Sequence, residues 1–151
     1  MANLVPYSFG VELLTGTHNF ASGGNSFKIA LYTGIGSYTT ASTAYLTNSE
    51  VSSGGGSQYT TGGETLGSQA VANQNNVATV DFADTVWGSG TPATFSAAYA
   101  AIYNDTNADK LVVVLDFGGT KSCSNGTFTI TYPNPASGSP AGSDAIISIT
   151  S

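Results

Sequence analysis

Residues 99–117 hold two apolar runs, Tyr-Ala-Ala-Ile-Tyr and Leu-Val-Val-Val-Leu-Asp-Phe, around the polar segment Asn-Asp-Thr-Asn-Ala-Asp-Lys. Asn and Asp tolerate left-handed turn geometry, and β-branched and aromatic side chains suit strands, so the pattern predicts a β-hairpin. In the second run Leu111, Val113, Leu115 and Phe117 are expected on one face, with Val112 and Val114 on the other. A strand apolar on both faces belongs in the middle of a sheet, under a second layer. Each such side chain contributes roughly 1.5–3 kcal/mol when fully buried.

The rest of the chain is consistent with that hairpin as a core. Charged residues make up 8% of the 151, against about 25% in an ordinary soluble domain. Polarity comes instead from Ser, Thr, Asn, Gln and 19 Gly, which break helices or favour turns. Tyr7–Leu14 reads as one short amphipathic helix lying against a sheet, with Tyr7, Val11 and Leu14 at i, i+4 and i+7, Pro6 at its start and Gly16 as its stop. Strands are predicted over residues 26–33, 66–72, 77–82, 93–103, 111–117, 127–132 and 144–150. Asn73-Gln74-Asn75-Asn76 joins the second and third of these into a hairpin, and Phe95, Ala97, Tyr99, Ala101 and Tyr103 alternate onto one face. The expectation is an all-β single domain over 1–151, a β-sandwich or jelly roll of seven or eight strands with one short N-terminal helix. A long loop over 34–63, with short helical turns around Thr43 to Leu46, and a Pro-rich connection over 133–142 separate the strands.

Several function classes lack their chemistry. The net charge is −6, with Lys28, Lys110 and Lys121 and no arginine, so neither nucleic acid nor an anionic membrane surface is an expected partner. Cys123 stands alone, and the N-terminus has neither a basic start nor a long apolar run, so folding in a cytosol is expected. His18 is the single histidine, which leaves a Ser-His or Cys-His site one possible base and no Gly-x-Ser-x-Gly elbow. His18 and Cys123 together supply too few ligands for zinc. Glu50, Glu64, Asp81, Asp84 and Asp116 are the carboxylates a glycosidase would draw on, but their spacing singles out no pair. Asp105-x-Asn107-x-Asp109 imitates the start of a calcium loop, with Asp116 at position twelve. Lys110 stands where the sharp-turn glycine belongs, so a hairpin turn is the reading kept. Gly88-x-Gly90 has Pro92 and a strand pattern after it, not a phosphate-binding helix. The sequence therefore predicts no catalytic, cofactor-binding or metal-binding residues. Trp87 and the tyrosines are either core residues or, in a carbohydrate-binding module, an exposed stacking platform.

The order of short motifs along the chain resembles a family of small virion structural proteins of tailed bacteriophages. The matching pieces are Glu12-Leu-Leu-Thr-Gly16, His18-Asn-Phe20, Ile29-Ala-Leu-Tyr-Thr33, Asn48-Ser-Glu-Val51 and Tyr59-Thr-Thr-Gly-Gly63. Val80-Asp-Phe-Ala-Asp84 with Trp87, Ala101-Ile-Tyr-Asn104, Val114-Leu-Asp-Phe-Gly118, Ser124-Asn-Gly-Thr-Phe128 and Ala145-Ile-Ile147 follow in sequence. The resemblance implies a capsid decoration (cement) protein in the virion, bound as a dimer or trimer to the outside of the major capsid protein. It carries no catalytic residues. A tail, neck or fibre-base position is the neighbouring reading, and a carbohydrate-binding module or small glycan hydrolase is the alternative of another class. The 34–63 loop and the N-terminal segment are the expected contact elements, since loops on a rigid scaffold carry binding.

Overall fold

A computed structural model describes residues 3–135 and 145–150. The chain is all-β apart from α1 (Tyr7–Leu14), with β1 (Phe27–Tyr32), β2 (Glu64–Thr65), β3 (Ala70–Gln74), β4 (Val77–Asp81), β5 (Thr85–Trp87), β6 (Ala93–Asn104), β7 (Lys110–Gly126), β8 (Phe128–Ile130) and β9 (Ile147–Thr150). All pairing between strands is antiparallel. The main sheet has the order β2-β1-β6-β7, and beside it lie β3-β4-β9 and the pair β5-β8. The predicted helix span and central hairpin are in place, and the described strands number nine where seven or eight were expected. The second hairpin forms with a shifted first strand: Asn73 and Gln74, read as part of its turn, pair with Ala78 and Val77, so the turn is Asn75-Asn76 and the strand is Ala70–Gln74 rather than 66–72. Of the Pro-rich connection, 136–142 lies outside the described residues.

The tip half of the β6–β7 hairpin, residues 100–104 and 111–114, is buried on both faces, as its sequence requires, while most of β7 beyond Phe117 is exposed. One face packs Ile29, Leu31, Ile102 and Val113 against Phe20, Phe82 and Trp87. The other packs Ala101, Tyr103, Leu111 and Val114 against Tyr38, Tyr45 and Leu46. The β6–β7 register shifts at three places, one of them near the far end, where Ala93 pairs with Gly126 and Phe95 with Cys123. Ile102 pairs with Val113 but Tyr103 pairs with Leu111, so Val112 is an extra residue in β7. This bulge turns Leu111 to the face opposite Val113, whereas strict alternation placed the two together. Farther along, Tyr99 pairs with Asp116 and Ala97 with Lys121, leaving three extra residues on β7. Gly118 and Gly119, with φ of 69° and 138°, absorb that excursion. The predicted strand end at Phe117 is therefore a kink, and β7 runs on to Gly126. In β6 the same irregularity separates Phe95 and Ala97, on the first face, from Tyr99, Ala101 and Tyr103 on the second.

The segment over 34–63 is the lid of the second core. No helical turn forms at Thr43 to Leu46. Ala44 bridges to Lys110, the Tyr45 amide donates to Asp109 O at 2.8 Å, and the Leu111 amide donates to Thr43 O at 3.0 Å, so this stretch runs extended beside the hairpin tip. Tyrosine hydroxyls fasten it. Tyr32 donates to Leu46 O at 2.7 Å, and the Leu46 amide donates to the Tyr38 hydroxyl at 2.8 Å. The lid returns to β1 through Gly63, whose φ is 76° and where a Cβ would run into the Ile29 carbonyl oxygen. Gly63→Ala is expected to lower the free energy of unfolding by more than about 2 kcal/mol, combining left-handed strain with a backbone clash. Urea denaturation checks this, and a cost below about 0.5 kcal/mol would show that the turn accepts a side chain.

Candidate functional site

His18 lies in a buried polar cluster between α1 and the hairpin tip. Its Nε2 is 3.0 Å from Glu12 Oε2, and its Nδ1 is 3.1 Å from the Asn104 amide nitrogen. Lys110 Nζ donates to the other Glu12 oxygen at 2.7 Å. Asn104 also donates to Asn25 Oδ1 at 3.0 Å. A neutral imidazole with the proton on Nε2 satisfies both contacts, donating to Glu12 and accepting from Asn104. Burial pulls the His18 pKa below its ordinary 6.5; the Glu12 carboxylate opposes this and Lys110 reinforces it. Every polar atom of the ring has an internal partner, and the rings of Phe9, Phe20 and Phe27 surround it. The arrangement fixes α1 to the sheet.

Cys123 does not complete a dyad with His18. It pairs with Phe95, nine residues along β6 from Asn104, a separation of about 30 Å at ~3.3 Å per residue. The carboxylates are dispersed as well. Asp81 accepts from the Phe82 amide at 2.9 Å, Asp84 from the Tyr132 amide at 3.1 Å, and Asp116 from the Gly118 amide at 2.9 Å. Glu64 sits in β2 opposite Ile29. Asp105 pairs with Lys28 at 2.9 Å, and the Asn107 amide group turns toward Thr17 O and Asn25 Oδ1, so the hairpin turn directs these side chains apart. Glu50 serves three donors. It accepts from the Tyr45 and Tyr59 hydroxyls and, at 2.7 Å, from the Gly62 amide. Burial first, and the bond to Glu50 second, push both of those phenols well above the ordinary tyrosine range. Trp87 is 1% exposed and packs against Tyr59, Phe95 and Phe128, so it offers no outward stacking face.

The surface feature without an internal explanation is apolar. Tyr7, Val11 and Leu14 were read as the face that lies on the sheet. They point outward instead, 75%, 64% and 91% exposed, beside Val5 at 54%. The helix packs through Phe9 and Leu13, also four residues apart, and through Glu12. Glu12 decides the orientation, because its two oxygens reach His18 and Lys110 only from that face. A groove of about 320 Å³ between α1 and β9, lined by Val5, Phe9, Leu13 and Ile149 among others, continues the apolar surface. Among the described residues no helix is long and apolar enough to cross a membrane. Compared with protein-family models, with curated proteins and with solved structures, the chain matches none.

The buried histidine gives stability a pH dependence. With the folded pKa below 6.5, the unfolded chain binds the extra proton, so the contribution is fully present above about pH 6.5 and is lost as pH falls through the folded value. Urea midpoints at pH 7.5 and pH 5 should therefore fall further for the natural chain than for His18→Gln. Equal falls in the two proteins would remove His18 from the account.

Proposed function

We propose that the protein is a bacteriophage virion structural protein, a capsid decoration (cement) protein bound to the outside of the major capsid protein shell. The observation that carries this reading is the exposed stripe of Tyr7, Val11 and Leu14 with Val5, held outward by Glu12, which is ion-paired to Lys110 and hydrogen-bonded to His18 on the inner face. A chain that turns the one charged residue of this helix inward and displays an uncharged apolar helix face is suited to gripping another protein. The ordered resemblance to small phage structural proteins points the same way.

Burying these side chains against a partner provides roughly 1.5–3 kcal/mol each, and binding to the assembled shell but not to dispersed subunits would stabilise the shell by linkage. Decoration as a dimer or trimer would multiply the effect through local concentration. Virion location follows from this role, with folding in the host cytoplasm before attachment.

Particles assembled without the protein should form normally and break at lower temperature. Re-addition of the natural chain should restore heat resistance, whereas Val11→Asp combined with Leu14→Asp should bind at least about a hundredfold more weakly, because a carboxylate cannot enter an apolar contact unpaired. Val11 and Leu14 are exposed, so thermal unfolding of the free variant should match that of the natural chain. Binding should also persist at high salt, since α1 has no acidic residue in its first turn and no basic residue in its last. Equal heat resistance with and without the protein would overturn the cement role, and full occupancy by the double variant would overturn the role of α1.

A further inference from the structure

We infer that the groove between the far half of β7 and β8 is a docking edge for an extended, acidic segment of a partner protein, which adds there as a β-strand. The groove measures about 510 Å³ and is lined by Phe117, Lys121 and Ser122 on one side and by residues 127–131 on the other. All three residues of β8 and the residue on either side of it border the groove in unbroken succession. A groove over a sheet face would meet every second residue, because successive side chains alternate, so this one runs along the strand's edge.

Among the described residues neither edge is paired. In the strand order β2-β1-β6-β7, β7 is the outer strand, and β8 pairs with β5 alone. Peptide groups on such edges are a template for another chain. The floor is apolar, with Phe117, Phe128 and Ile130, while Thr127, Thr129, Thr131 and Ser122 supply hydroxyls. Residues 127–131 span about 17 Å at ~3.3 Å per residue, room for a segment of about five residues whose alternate side chains are small or β-branched and apolar.

Charge selects among such segments. Lys28 is paired with Asp105 and Lys110 with Glu12, but among the described residues Lys121 makes no ion pair. With nine Asp and Glu to three Lys, that is not for want of carboxylates in the chain. An acidic side chain in the docked segment would complete a charge-assisted contact at the rim. The simpler role for an edge lysine is to repel stray strands, and the two roles predict different responses to peptide charge. The inference deepens the proposed shell-binding role by giving the form of a partner segment, and its test is separate from α1.

The intact protein is titrated with nine-residue peptides that alternate Val with Thr and carry one Asp, stepped through the Thr positions, and with counterparts carrying Lys. The readouts are amide shifts and hydrogen exchange by NMR. The Asp peptides should slow exchange along residues 117–122 and 127–131. Lys121→Glu should weaken them by at least about tenfold, as expected for loss of a charged hydrogen bond, and should reverse the preference toward the Lys peptides. Absence of protection by any peptide would leave Lys121 as an edge guard and overturn the inference. Protection that ignores peptide charge, or that maps to α1, would overturn it as well. Shell binding through α1 can stand or fall without changing any of these outcomes.

Discussion

Two-sided burial of the β6–β7 hairpin is the constraint on which the remaining structure depends. A strand that carries Val112 and Val113 toward one core and Leu111 and Val114 toward the other needs apolar cover on both faces. The first cover comes from aromatic residues of distant segments, including Phe20, Phe82 and Trp87. The second comes from the 34–63 segment, which has little apolar content and uses hydroxyl groups instead. Tyr32 and Tyr38 direct their hydroxyls to Leu46 and Tyr45 directs its own to Glu50, while Tyr59, whose ring packs in the first core, reaches Glu50 as well, so a Ser-, Thr- and Gly-rich stretch acts as a fixed layer. Glu50 joins that layer together, and its bonds to two phenols and one amide occupy the carboxylate.

The orientation of α1 follows from the same hairpin. Lys110 sits at its tip and Asn104 ends β6, so the tip presents a cation and an amide to whatever packs there. Glu12 and His18 meet these groups, and a buried, hydrogen-bonded group of this kind is costly to break because each partner would be left unpaired. The helix is thereby fixed with its polar residue inward and Tyr7, Val11 and Leu14 outward. The exposed apolar surface and the buried polar cluster are two sides of one arrangement, which is why an internal histidine bears on an external contact.

Much of this was legible in the sequence, and the parts that were not share a cause. The helix span, the central hairpin and the 77–82 strand follow from local periodicity and turn residues. Periodicity also indicated a face for α1, but two stripes were available, Tyr7-Val11-Leu14 and Phe9-Leu13. The choice between them rests on contacts from Glu12 to residues six and ninety-eight positions away. Likewise, nothing local to Leu111 reveals a bulge at Val112, since its register is set by Ile102 and Tyr103 across the ladder. The break inferred at Gly118 was a real irregularity, but pairing with β6 carries the strand through it. Residues 34–63 read as an open loop because the anchors are isolated tyrosines, each of which says little without its partner.

The central claim is that the doubly buried hairpin holds the fold and that peripheral elements are attached to it. Native-state hydrogen exchange tests this most directly. Amides of residues 100–103 and 111–114 should exchange only through global unfolding, with an opening free energy equal to that from urea denaturation, while amides of the largely exposed β3 should exchange through smaller openings. Exchange of the β6–β7 amides at the rate of the β3–β4 hairpin, or faster, would contradict the account.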